Sequence, residues 1–217
     1  MAVAIGPIAS AGGILAIAYL FGSTPTGYLV ARQLKGIDIR ACGSGSTGAT
    51  NVLRTVGKGP ALAVLIIDAL KGAIPVLLAR WLPEIVPSLP GSWQDWLVVG
   101  SALAAIVGHS KSMWLGFSGG KSVATSLGVL LAITPLLGVG TLTTFGLSLA
   151  LTRIVSISSI LGAVAVSFIA VVLGLSLPYI LFCALAGGYV IWRHRANIGR
   201  LLAGTEPKIG QKLGNQS

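Results

Sequence analysis

Two short glycine-rich segments hold the residue types best suited to chemistry in this chain. The first is Gly43-Ser44-Gly45-Ser46-Thr47-Gly48, followed closely by Thr50, Asn51 and Arg54. The second is Gly119-Gly120-Lys121, at the head of an apolar run. Glycine-rich backbone leaves N–H groups free to converge on an anion, and a helix N-terminus adds its dipole. Hydroxyls, an amide and the cations Arg54 and Lys121 extend that donor set, so the chemistry indicated is recognition of phosphate. Either segment alone reads better as a basic turn, with glycines that only let the chain reverse, since basic loops are the norm in membrane proteins.

Both segments imitate better-known motifs. Gly43-x-Gly45-x-x-Gly48, with Asp68 twenty residues on, matches a dinucleotide fingerprint, which has meaning only between a strand and a helix of a parallel sheet. Asp68 instead lies within the apolar run 61–81, out of reach of a ribose. Gly116 to Ser122 is one residue short of a Walker A loop, because Leu115 stands where the first glycine is required.

The elements that must position these residues are membrane helices. Hydrophobic residues make up 54% of the 217 and charged residues 9%, too few charges to cover a soluble globule of this size. Apolar runs long enough for spans, about 17–25 residues, cover 3–21, 61–81 and 154–175. Shorter ones cover 96–107 and 178–192. The thirty-residue stretch 122–151 is long for one crossing, and Pro135, Gly138 and Gly140 offer a break, giving two short spans and seven in all. On that count 13 of the 15 basic residues fall on one side, leaving out Lys71, inside a span, and Arg80, at its far end. The positive-inside rule then puts the N-terminus outside and the C-terminus in the cytoplasm. No Lys or Arg precedes Arg32, which argues against a cleavable leader. Cys42 and Cys183 have no spacing that suggests a disulfide, a metal site or a catalytic thiol, and no metal or cofactor is expected. The two glycine-rich segments share the cytoplasmic side, which weighs toward one site for phosphorylated ligands.

The sequence resembles the bacterial acyl-phosphate-dependent glycerol-3-phosphate acyltransferases, the PlsY family, over nearly its whole length. The resemblance rests on Gly22-Ser-Thr-Pro-Thr-Gly27-Tyr, Gly36-Ile-Asp-Ile-Arg40, Gly43 to Arg54, Asp68-Ala-Leu-Lys71-Gly, Gly108-His109, Gly119 to Thr125, Arg153…Ser156…Ser159, and His194-Arg-Ala-Asn197-Ile. It implies a single multi-pass domain, 1–217, in the bacterial cytoplasmic (inner) membrane. The implied activity is transfer of a fatty acyl group from acyl phosphate to the 1-hydroxyl of glycerol 3-phosphate, giving lysophosphatidic acid and phosphate. It further implies that Ser44, Gly45, Ser46, Thr50, Asn51, Arg54, Gly119 and Gly120 bind substrate and that Lys121, Ser159, His194 and Asn197 form the catalytic group. Implied partners are the two substrates, membrane lipid and the upstream acyl-phosphate-forming enzyme, with no nucleic acid. The family commonly has Asn where this chain has Ser46, Gly where it has Ser122, and Phe-Pro where it has Lys111-Ser112.

An acyl phosphate is already activated, so no Ser-His-Asp triad is required; positioning and electrostatics could supply most of the catalysis, with the leaving phosphate taking the hydroxyl proton. The H-x-x-x-x-D pair of acyl-CoA-dependent acyltransferases is absent, since Trp114 and Gly199 stand five residues after His109 and His194. Asp68 and Lys71, one helical turn apart, have a structural reason in each other; His109 is open to an interfacial or a chemical role. Arg193 and Arg195 are expected at the lipid surface, and Trp81, Trp93, Trp96 and Trp192 as interfacial anchors. The alternative is a transporter or channel for an anionic metabolite, whose usual paired repeats are not found here.

Overall fold

The computed structural model describes residues 5–85 and 89–211; the start of the first run at Val3 and the tail charge Lys212 lie outside them. Among the described residues there are ten α-helices and no strand, the nearest approach to one being a bridge between Ser112 and Ser118. Helix α1 (Ile5–Ser23) stops before Thr24-Pro25, where the proline restricts its predecessor. The chain restarts as α2 (Thr26–Lys35), then α3 (Ala49–Thr55). Long α4 (Lys58–Ile85) and α5 (Gln94–Ser110) follow, then α6 (Val123–Ile133), α7 (Pro135–Thr152), α8 (Val155–Val172), α9 (Leu177–Arg193) and α10 (Arg195–Leu202).

The stretch 122–151 does break at its proline. Thr134 is extended, and Pro135 takes the first position of α7, where its missing N–H costs nothing. Helix α6 is the shorter of the two spans that the break leaves: eleven residues reach only about 16 Å, roughly half of a hydrocarbon core. A helix end at that depth needs partners for its carbonyls. Arg80 supplies one, its Nη2 donating to Ile133 O at 2.7 Å.

Four segments (6–35, 58–82, α7 and α8) are long and apolar enough to cross a membrane, and α6 and α9 are shorter apolar helices. Large apolar side chains such as Phe168, Leu136 and Leu185 face outward, while Val76, Ala79, Ala102 and Ala105 fill the interior. Without a hydrophobic drive between helices in lipid, small residues that let backbones touch do the packing. Here α1 meets α5 through Gly22 and Gly108, where a Cβ would lie 2.2 Å from Ala105 O and 2.4 Å from Tyr19 O. Helix α6 crosses α4 through Gly128 and Gly72, against Ala69 O and Thr125 O. That second crossing sets the start of α6 beside the middle of α4 and so holds Lys121 inside the bundle. The chain is an all-helical, multi-pass membrane protein.

Candidate active site

A polar cavity of about 130 Å³ lies where α3, the start of α6, α8, α10 and the tail converge. Lys121, Arg54, Ser159, His194, Asn197 and Glu206 reach it, although they are scattered over more than 150 positions of sequence. Ser44, Ser46, Thr50 and Asn51 complete one wall. Gly45, Gly119 and Gly120 do not line it; Gly45 and Gly119 border a separate depression beside Arg40 and Lys111.

Glu206 organises the polar end, and sequence reasoning missed it. Its carboxylate accepts from Asn197 Nδ2 at 2.6 Å, Ser156 Oγ at 2.8 Å and Arg200 Nε at 2.7 Å. Burial pushes the carboxyl up, but these donors more than offset it and hold the group below its usual range. Asn197 Oδ1 in turn accepts from Lys121 Nζ. The tail segment bearing Glu206 is pinned where Ile209 N donates to Arg153 O at 2.8 Å. The available signal was scarcity: Glu206 is one of five acids in the chain and stands in an otherwise basic tail.

Burial pulls the Lys121 ammonium down to about 8; Glu206 opposes the shift, and Arg200, Arg54 and Arg193 add to it. Burial also pushes His194 down to about 4, so its imidazole is neutral at pH 7. Its Nδ1 lies 2.7 Å from Val190 O. A carbonyl only accepts, so Nδ1 carries the hydrogen and Nε2 is left with a lone pair. Ser159 Oγ donates to Val155 O at 2.8 Å, which likewise leaves its oxygen as an acceptor.

The two glycine-rich segments contribute differently. In the first, Asn51 is fully occupied: its Nδ2 serves Cys42 O, Ser46 O and Ile39 O, and its Oδ1 accepts from Ser44 N at 3.1 Å. It shapes the loop, and Ser44, Ser46 and Thr50 line the cavity, Ser46 Oγ also accepting from Gly48 N at 3.3 Å. In the second, Gly120 N–H donates to His109 O, and a Cβ on Gly120 would fall 2.0 Å from His109 Nε2. A Cβ on Gly119 would fall 2.2 Å from His109 O. The carbonyls of both glycines accept from Arg193 Nη2, at 3.3 and 2.8 Å. Arg193 therefore clamps this loop and does not sit at the lipid surface as expected, whereas exposed Arg195 lies 4.7 Å over the Trp192 ring. Of the Gly119-Gly120-Lys121 segment, only Lys121 enters the cavity.

Deeper in, Lys71 Nζ is 2.8 Å from Asp68 Oδ1 and donates to Thr24 O at 2.7 Å, tying α4 to the end of α1. Asp68 and His109 both reach the cavity wall, with His109 Nδ1 3.7 Å from the carboxylate. Among the described residues no cluster of His, Cys, Asp and Glu is arranged to hold a metal.

Next to the polar cavity lies an apolar one of about 170 Å³, walled by α6, α7, α8 and α9. The two share Ser159, Leu65, Val123, Ala124 and Phe145, so a polar chamber runs directly into an apolar one.

The sequence pattern of the glycerol-3-phosphate acyltransferase family matches residues 12–204. The chain belongs to this family. A glycerol-3-phosphate acyltransferase of Trichormus variabilis is 58% identical over 210 residues, covering 93% of each chain. That of Rippkaea orientalis is 60% identical over 207 residues, covering 94% of this chain and 95% of its own. Among solved structures, a crystal structure of PlsY, an integral membrane glycerol 3-phosphate acyltransferase, in its glycerol 3-phosphate form is 36% identical with a TM-score of 0.84. It covers 93% of this chain and 96% of that one. The lysophosphatidic acid form matches at 35% identity and a TM-score of 0.81, with the same coverage. The acyltransferase fold carries no parallel sheet among the described residues, so the dinucleotide and Walker A resemblances are coincidences of glycine spacing.

Proposed function

We propose that this acyltransferase moves a fatty acyl group from acyl phosphate to the 1-hydroxyl of glycerol 3-phosphate, releasing lysophosphatidic acid and inorganic phosphate. The observation that carries the reading is the junction at Ser159, where a donor-rich chamber suited to phosphate opens into an apolar chamber suited to an acyl chain. Neither chamber alone calls for an amphiphile with an anionic head; together they do.

In the reaction the glycerol oxygen attacks the acyl carbonyl carbon, a C–O bond forms, and the bond from that carbon to the phosphate oxygen breaks. Lys121 and Arg54 bind phosphate charge, with Ser44, Ser46 and Thr50 supplying hydroxyl donors. The neutral imidazole of His194 orients the attacking hydroxyl by accepting its hydrogen at Nε2. With its pKa about 4, that imidazole is a poor final proton carrier, and the departing phosphate takes the proton. Ser159 marks the reacting carbonyl at the chamber junction. Asn197, bonded to both Lys121 and Glu206, fixes the ammonium in place. Catalysis on this account is positioning and charge stabilisation, without a covalent enzyme intermediate.

The protein acts as one domain over residues 1–217 in the bacterial inner membrane. Seven segments (α1, α4 to α9) cross with the N-terminus outside, α6 being the short one, and the site faces the cytoplasm. Its lipid-soluble donor comes from the upstream acyl-phosphate-forming enzyme. Single cysteines at Gly91 and Gly204, with Cys42 and Cys183 replaced, should label from opposite sides with an impermeant thiol reagent; labelling from one side contradicts the topology. The donor is tested by offering purified protein acyl phosphate or acyl-CoA with glycerol 3-phosphate. Turnover is expected with the first alone, and efficient turnover with acyl-CoA instead would overturn the reading.

A further inference from the structure

The apolar chamber is graded in side-chain size along its depth. On α8 its wall is Ser159, then Gly162 and Ala163, then Val166; on α9 it is Val190, then Gly187 and Ala186, then Phe182. Both helices present these residues on one face, spaced by whole turns. From Ser159 to Val166 the chamber descends about 10 Å at ~1.5 Å per residue. Its middle is lined by glycine and alanine, and its far end by Phe182, Val166 and Leu130, which are 1%, 4% and 5% exposed. A leaflet's share of the hydrocarbon core is about 15 Å, so a membrane-length acyl chain entering at Ser159 reaches these residues before it is fully housed.

We infer that Phe182, backed by Val166 and Leu130, is the stop that sets acyl-chain length in this enzyme. The inference rests on the acyl-phosphate reading above and adds to it which residues discriminate among donors. An apolar floor reads length because each methylene beyond it has no space and each one short of it leaves a void unfilled. The glycines of the chamber differ in a way that makes the idea testable. At Gly187 a Cβ would lie 2.4 Å from Ala163 O, so that glycine is needed for packing α9 on α8. At Gly162 an added Cβ meets nothing nearer than Thr141 Cγ2, at 3.6 Å, an ordinary contact, so a side chain can be introduced there with far less displacement of the helices than at Gly187. The alternative route for the chain tail is sideways into the bilayer between Leu65 and Leu142, two chamber residues that are 42% and 45% exposed.

The experiment measures kcat/KM for octanoyl, dodecanoyl, hexadecanoyl and octadecanoyl phosphate with purified wild-type enzyme, Phe182→Ala and Gly162→Val. Phe182→Ala should raise the ratio of octadecanoyl to dodecanoyl phosphate by about tenfold or more. Gly162→Val should lower the ratio of hexadecanoyl to octanoyl phosphate by a similar factor. Ratios within twofold of wild type in both variants would overturn the stop and favour the lateral exit. If Phe182→Ala does not purify as folded protein, Gly162→Val decides alone. A wild-type enzyme inert toward every acyl phosphate would contradict the donor assignment itself, a result distinct from unchanged ratios.

Discussion

In the segment Gly43–Gly48 the glycines turn a loop whose neighbouring hydroxyls, Ser44, Ser46 and Thr50, reach the polar cavity. In Gly119-Gly120 the glycines themselves are packed on His109, and only the next residue, Lys121, enters. Both stretches have the composition of a phosphate cradle, but in the first Gly43 and Gly45 supply left-handed turns, Gly43 also lying close against Asn51 Oδ1, whereas in the second glycine is needed only because a Cβ has no room. A glycine in sequence therefore signals either a bend in the backbone or an absent side chain, and the neighbour that decides which, here His109, is ten residues away.

The widest separation between the two uses should come from charge. Lys121→Ala should lower kcat/KM by roughly ten- to a hundredfold, the loss of a charge-assisted hydrogen bond of ~1.5–3 kcal/mol, while Lys58→Ala, exposed at the start of α4, stays near wild type. Equal losses would mean that the second segment contributes no more than topology. Next comes packing. Gly119→Ala should destabilise the protein by about 1–3 kcal/mol through overpacking, seen as a lower melting temperature in detergent. Gly48→Ala, whose Cβ would meet only Ser46 Oγ at 3.7 Å, should fold normally. If the two variants melt alike, the second loop is not packed as described.

Asn197→Ala should cost about tenfold in turnover, or in the KM for glycerol 3-phosphate, if one hydrogen bond to a charged group of ~1.5 kcal/mol is lost. It should also reduce thermal stability, since Glu206 and Lys121 lose their shared partner. A folded variant with unchanged kinetics would remove Asn197 from the site. The smallest effect is a pH limb. Lys121, lowered to about 8 by burial, must be protonated to hold phosphate, so kcat/KM should fall as pH rises through about 8. Lys121→Arg, where it retains activity, should push that limb to higher pH, since guanidinium stays charged; a limb that does not move belongs to another group.

The helical architecture was legible because membrane spans are written in length and apolarity, and the break at Pro135 because proline removes a donor. What holds so short a helix as α6 inside the bundle was not legible. It depends on Gly72 and Gly128 bringing α4 and α6 into backbone contact and on Arg80 reaching Ile133 O, contacts between residues some fifty positions apart. Within the site, Lys121 was singled out by its glycines and Arg54 by its hydroxyl-rich approach. Ser159, His194 and Asn197 came through resemblance, since nothing local distinguishes a serine in an apolar helix or a histidine in a basic tail. Glu206 and Arg193 were missed or misplaced for one reason: each acts on a loop distant in sequence. Arg193 bonds backbone carbonyls of residues 119 and 120, which leave no trace in composition.

In the proposed reaction one site couples phosphate loss from the donor to ester formation on the acceptor. Phosphate and lysophosphatidic acid should be quantified together from purified protein given hexadecanoyl phosphate, with and without glycerol 3-phosphate. One phosphate per lysophosphatidic acid is expected, and neither product above the uncatalysed background when the acceptor is withheld. Phosphate release at the same rate without acceptor, or no lysophosphatidic acid with both substrates present, would contradict it.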